Sequence, residues 1–90
     1  MTQGSIHAYI SGKVQGVWFR AFTRKQALAL GITGWAKNLA DGRVEVMLCG
    51  DQGQLQKLVK LLEKGPPLAK VTRIQQEVLE AQAIEDFFIG

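Results

Sequence analysis

Gly12-Lys13-Val14-Gln15-Gly16-Val17-Trp18-Phe19-Arg20 joins an alternating apolar run to a stretch of helix formers, and its reading decides the fold. Before it, Ile6, Ala8 and Ile10 occupy one parity and His7, Tyr9 and Ser11 the other, the pattern of a half-buried strand over 6–11. After it, 21–30 is rich in Ala, Leu, Lys and Gln and is followed by Gly31. A helix is predicted there, with Thr23, Ala27 and Leu30 along its apolar stripe. The two glycines permit a sharp bend and positive φ, so several backbone N–H groups can turn toward one point. The helix start adds free N–H groups and the positive end of a dipole. Arg20 adds a planar fork of donors. The stretch reads as a cradle for a small anion, a phosphoryl group above others. A plain strand–glycine–helix turn fits the same residues. The loop has neither the Gly-Lys-Ser/Thr ending of a nucleotide P-loop nor the three-glycine spacing of a dinucleotide site.

Working outward, 32–39 reads as a second strand and 43–49 as a third, with Ala40-Asp41-Gly42 between them as a tight hairpin turn. Asp51 is placed to cap a second helix over 52–63, where Leu55, Leu58, Val59 and Leu62 recur at helical spacing. Pro66 and Pro67 end it. A fourth strand is predicted over 70–79; Val71 and Ile74 fall on opposite parities, so a bulge or an exposed edge belongs there. Residues 80–85 read as loop and 87–89 as a short final strand. The order strand, helix, strand, strand, helix, strand predicts an α+β fold: a ferredoxin-like βαββαβ sandwich, with an antiparallel sheet and both helices on one face.

Ninety residues fit one small domain spanning 1–90, able to bury about 60–65% of its unfolded surface in one modest core. Eleven Lys and Arg against eight Asp and Glu give a net charge of +3, a bias that suits an anionic small substrate as well as a polyanion. The single cysteine, Cys49, excludes an intrachain disulfide and lies in an apolar run, where a buried thiol is expected. The one histidine, His7, is on the polar parity of its strand and is expected at the surface. The first five residues show no signal-peptide pattern, and no transmembrane span occurs, so a cytoplasmic location is expected.

The stretch Gly12–Arg20 resembles the signature loop of the acylphosphatases, Gly-x-Val-Gln-Gly-Val, two further residues and Arg. A second block from Gly34 to Val46, carrying Asn38, Asp41-Gly42 and Val44-Glu45-Val46, is similar to that family's other signature. Gly65-Pro66-Pro67-Leu68-Ala69-Lys70-Val71 is similar to its loop before the fourth strand. The resemblance spans nearly the whole chain, in the family's order. It implies the ferredoxin-like fold and hydrolysis of the carboxyl–phosphate bond of a small-molecule acyl phosphate. It also implies that the phosphoryl group is held by Arg20 and the loop Val14, Gln15, Gly16, Val17, Trp18 and Phe19, with Asn38 orienting the attacking water. By spacing alone, an Asn before a turn is a turn-former. No cofactor or metal is expected, nor a nucleic acid or membrane partner, and the expected state is a monomer. The ending Asp86-Phe87-Phe88-Ile89-Gly90 departs from the family in lacking the basic or aromatic closing residues many members carry.

The chemistry asked of such residues is modest. The leaving group is a carboxylate, stable at neutral pH, so no general acid is needed; the work is to hold the phosphoryl group, neutralise its oxygens and place a water in line. Arginine and backbone N–H groups suit the first two tasks, and a neutral amide, with a donor and an acceptor, suits the third. The sequence contains no obvious paired carboxylates, metal set or Ser/His or Cys/His pair. Trp18, Phe19 and Trp35 are expected in core or rim packing, with Trp18 the one placed to touch an acyl group. Lys13 and Lys37 are expected to be solvated.

Two rival readings fit the same order of elements. An RNA-binding module of the same fold is disfavoured, because 43–49 offers no aromatic residue to the sheet face. A non-catalytic phosphate or carbamoyl-phosphate binding module is the other. It resembles the acylphosphatase-like domain at the front of the hydrogenase-maturation carbamoyltransferases, whose zinc-binding Cys clusters do not occur in these residues.

Overall fold

The computed structural model describes residues 2–90; Met1, part of the amino-terminal stretch considered above, lies outside them. The elements run β1 (Gln3–Lys13), α1 (Phe19–Ala29), β2 (Thr33–Asn38), β3 (Val44–Asp51), α2 (Gln52–Lys64), β4 (Lys70–Leu79) and β5 (Phe87–Ile89). The strands form one sheet in the order β4-β1-β3-β2-β5. The four long strands pair antiparallel, as the sequence predicts. The sheet as a whole is mixed, because β5 joins β2 in parallel register, Gly34 opposite Phe87 and Ala36 opposite Ile89. Residues 80–86 carry the chain from one edge of the sheet to the other. There β5 covers the free edge of β2, and the Gly34 and Gly90 N–H groups donate to Asp86 and Ala36 carbonyls at 2.9 Å each.

Alternation decides which face is buried. Ile6, Ala8 and Ile10 of β1, Val44, Val46 and Leu48 of β3, Ala36 of β2 and Phe87 of β5 pack with Leu55, Leu58, Val59 and Leu62 of α2 and Phe19 and Ala27 of α1 in one cluster. Both helices therefore cover the same side of the sheet. Helix α1 begins at Phe19 rather than at Ala21, since the Phe22 N–H already donates to the Trp18 carbonyl at 2.9 Å. Burying the Phe19 ring draws the helix back by half a turn. Thr23 is fully buried on that stripe, and its hydroxyl is satisfied by donating to the Phe19 carbonyl at 2.9 Å.

Strand β1 runs past the expected end at Ser11 and takes in Gly12 and Lys13. The register with β4 slips there: Ser11 faces Arg73 and Gly12 faces Val71, which leaves Thr72 as the extra residue of a bulge. This is the bulge that the parity of Val71 and Ile74 demands, on an edge strand. At Gly12 φ is 121°, and a Cβ would stand 2.1 Å from the Lys70 carbonyl oxygen, so glycine is the residue that lets β4 approach. Cys49 is buried, 4% exposed, and accepts a hydrogen bond from the Ser5 hydroxyl at 3.4 Å.

The other face of the sheet is open and polar. His7, expected at the surface, is half-buried there, with its Nε2 2.6 Å from Glu45 Oε2 across the strands. Lys37 Nζ lies 3.4 Å from Glu45 Oε1 and over the Trp35 ring, and the Arg43 guanidinium covers the Tyr9 ring. Burial alone would raise the Glu45 pKa, but the hydrogen bonds from His7 and Lys37 and the nearby Lys37 charge outweigh it and hold the carboxyl below its ordinary value. Among the described residues no helix is long and apolar enough to cross a membrane.

Candidate active site

The loop from Val14 to Trp18 links β1 to α1 at one end of the sheet, and it is anchored from both sides. Val14 and Val17 drop their side chains into the core, 1% and 4% exposed. The Gln15 amide spans the gap to the β2–β3 hairpin, donating from Nε2 to the Leu39 carbonyl at 2.7 Å and the Arg43 carbonyl at 3.0 Å. That hairpin is itself closed by Leu39 N–H to Arg43 O at 2.8 Å and Gly42 N–H to Leu39 O at 3.2 Å. Its tip is held by Asp41, which accepts from the Arg43 backbone N–H and from Arg43 Nε at 2.8 Å. These bonds lower the Asp41 pKa, the Arg43 backbone N–H contributing most. Gly16, at φ 74° with open space around it, supplies the left-handed residue that turns the loop.

The helix that follows starts without a cap. Its N-cap position is Trp18, at φ 67° and ψ 23°, which offers no side-chain acceptor, and the first turn contains no acidic residue. Since the first helical bond is made by the Phe22 N–H, the N–H groups of Phe19, Arg20 and Ala21 have no intrahelical partner. Uncapped N–H groups at the positive end of a helix dipole favour an anion.

These groups line one cleft of about 410 Å³, bordered by Val14, Gly16, Trp18, Phe19, Arg20, Ala21, Asn38 and Ile89. Arg20 enters it from the first turn of α1, not from the loop, and donates through Nη1 to a main-chain oxygen of Gly90. Among the described residues no Asp or Glu side chain pairs with it. Asn38 ends β2, opposite Val44 and exposed, on the same parity as Gly34 and Ala36. The helix-side parity brings its amide to the mouth of the cleft. Lys37, one residue earlier, points to the open face and pairs with Glu45, while Lys13 is exposed at the end of β1.

The structure thus brings together Arg20, Asn38 and the backbone of the loop. It also sorts the loop residues by what they can offer. Val14, Val17 and Phe19 have buried side chains, and the Gln15 amide is occupied by the hairpin, so these four can present only backbone to a ligand. Trp18 is the exception to the expected packing: its side chain is 79% exposed, whereas Phe19 is in the core and Trp35 is half-buried against His7. Ile89 joins the cleft although no sequence motif marks it. Its only signal was membership of the final apolar triplet, and the parallel pairing of β5 is what carries it to the cleft.

No His, Cys, Asp or Glu borders the cleft. Among the described residues no three such side chains gather where they could hold a metal ion. The arrangement can bind an anion through a cationic fork and uncapped N–H groups, beside an exposed amide able to both donate and accept.

Comparison with known proteins gives the family. Residues 6–89 match the family Acylphosphatase. The chain is 47% identical over 85 residues to an acylphosphatase of Chromohalobacter salexigens, covering 94% of both chains. It is 51% identical over 83 residues to one of Colwellia psychrerythraea, covering 92% of this chain and 93% of that one. The structure of an acylphosphatase from Coxiella burnetii superposes with a TM-score of 0.94 at 40% identity, covering 99% of this chain and 94% of that chain. By family, fold and cleft, the chain belongs to the acylphosphatases, enzymes that hydrolyse acyl phosphates.

Proposed function

We propose that this chain hydrolyses the carboxyl–phosphate bond without a metal, holding the phosphoryl group on Arg20 and the backbone N–H groups of the 14–20 loop while Asn38 orients the attacking water. The observation that carries this reading is the meeting of an uncapped helix start, an arginine paired with no Asp or Glu side chain among the described residues and an exposed amide on one cleft. Phosphoryl oxygens bridge the N–H groups and the guanidinium, which offset the charge spread over them in a loose transition state. The water donates one hydrogen bond to the Asn38 carbonyl oxygen and accepts another from its amide NH₂, which leaves a lone pair aimed at phosphorus. As the P–O(acyl) bond breaks, its electron pair leaves with the carboxylate. Both water protons stay with the new phosphate, as dihydrogen phosphate, before it equilibrates with solvent. A carboxylic acid has a pKa of about 4, so the leaving group needs no proton.

The test is the disappearance of benzoyl phosphate, followed by absorbance with EDTA present, for the native chain and for Asn38→Ala. Native turnover should survive the chelator. Asn38→Ala should lower kcat by roughly 10²–10³ while inorganic phosphate still inhibits. A variant that bound phosphate poorly but turned over at the native rate would reverse the assigned roles.

A further inference from the structure

We propose that Trp18 and Ile89 form a clamp for the acyl end of the substrate, so that aromatic or bulky apolar acyl phosphates are the preferred class. This rests on the reading of the loop as a phosphoryl cradle. It starts from a conflict at position 18. A left-handed conformation is strained for a bulky non-glycine residue, and Gly, Asn or Asp would fit there with less strain. The chain instead places its largest side chain there, at φ 67°.

The usual returns on a tryptophan are missing. The indole buries little, being 79% exposed, and makes no cap hydrogen bond to its helix. Trp35 is a useful contrast, packed edge-on to His7 and beneath Lys37. Neither the core nor the helix start explains Trp18.

The cleft does. Trp18 borders it together with Arg20 and Asn38, and Ile89, 41% exposed, borders it from β5. In an acyl phosphate the acyl carbon is one oxygen removed from phosphorus. With the phosphoryl group on the α1 N–H groups and Arg20, the acyl substituent must therefore leave the cradle within the span of an indole ring. Of the residues that border the cleft, Arg20 alone is charged and Asn38 alone has a side-chain amide. Both are committed to the phosphoryl end and the water, so a polar acyl group would find no other side-chain partner. A flat apolar group would find an indole and a branched aliphatic side chain on the same rim. The apolar rim is also small. Phe88, the neighbouring exposed aromatic, pairs with Trp35 on the opposite parity of β5 and faces the open side of the sheet. Two side chains suit a small molecule rather than a macromolecular surface.

Two non-hydrolysable ligands that share a phosphonate and differ in the apolar end, benzylphosphonate and methylphosphonate, test this directly. Their dissociation constants are measured by calorimetry for the native chain, Trp18→Gly and Trp18→Phe, with inorganic phosphate alongside. Glycine keeps the N–H and accepts the positive φ, so that variant is expected to fold. The native chain should bind benzylphosphonate about tenfold more tightly than methylphosphonate. Trp18→Gly should bring the two within about twofold, and Trp18→Phe should keep part of the preference. In a Trp35→Phe background, benzylphosphonate should shift Trp18 fluorescence more than methylphosphonate does. Equal affinities in the native chain, or a preference that survives Trp18→Gly, would overturn the clamp while phosphate binding left the cradle standing. Failure of phosphate and both phosphonates to bind would overturn the cradle and the clamp with it.

Discussion

Helix α2 begins at Asp51, whose carboxylate accepts from the Gly53 and Gln54 N–H groups at 3.1 and 3.3 Å, whereas α1 begins at Trp18, which offers its helix no side-chain acceptor. Both helices pack on the same face of one sheet, and both are long enough to leave several N–H groups without an internal partner. At α2 those groups are satisfied from within, with the cap in the extended conformation such caps adopt. At α1 no side chain of the helix start caps them, the backbone is held in a strained region, and the nearest cation pairs with no Asp or Glu side chain among the described residues. A helix start that forgoes its cap loses about 0.5–2 kcal/mol, and on the proposed reading the uncapped, strained start beside Arg20 is where stability gives way to binding. Substitutions at the α1 start should cost activity with little stability, and those at the α2 start the reverse.

The largest effect expected is that of Arg20→Gln. It removes the charge and the fork from the cleft, and activity toward benzoyl phosphate should fall by about 10³-fold or more, with inhibition by inorganic phosphate lost. Arg20 is only half-buried and its one hydrogen bond to the chain is an exposed one to a main-chain oxygen of Gly90, so thermal unfolding should move little. A large fall in Tm with phosphate inhibition preserved would place Arg20 on the structural side of the comparison.

Gln15→Ala should fall between the two extremes. Its amide is the bridge between the loop and the hairpin that ends in Asn38, so its removal loosens the spacing between the two halves of the cleft. It also removes the second donor from the Leu39 and Arg43 carbonyls, which keep their hairpin N–H partners, at a cost of about 0.5–1.5 kcal/mol per bond in stability. We expect kcat/KM to drop about tenfold, through positioning. Gln15→Glu should be no better, because a carboxylate cannot donate to the two carbonyls. An intact kcat/KM in Gln15→Ala would show that the cleft keeps its shape without the bridge.

Much of this was legible in the sequence because it rests on local rules. The α2 start followed from Asp51 before an amphipathic run, and the β4 bulge from the parities of Val71 and Ile74. The cradle could be proposed from Gly12 to Arg20, and its partner Asn38 from the resemblance to the family. What was not legible depends on long-range contacts. The bridge from Gln15 runs 24 and 28 residues along the chain, to backbone atoms that carry no side-chain signal. The His7–Glu45 pair spans 38 residues and needs the β1–β3 register before it exists. The parallel pairing of β5, which carries Ile89 to the cleft, comes from three residues too short to declare a direction. The exposure of Trp18 ran against composition, since an indole beside buried Val17 and Phe19 reads as core until the left-handed turn puts it outside.

Asp51→Ala completes the comparison with the smallest effect. Loss of the cap leaves the Gly53 and Gln54 N–H groups to water, at a cost of about 1 kcal/mol. For a domain of this size that is a fall in Tm of about 4–8 °C. Since Asp51 lies at the junction of β3 and α2 and borders none of the cleft, kcat and KM for benzoyl phosphate should stay at native values below the transition. Asp51→Ser should recover most of the lost stability, because a hydroxyl can accept the same hydrogen bonds. If Asp51→Ala lowered turnover well below its melting range, the two helix starts would be coupled through the shared core, and the division between a capped end for stability and an open end for binding would fail.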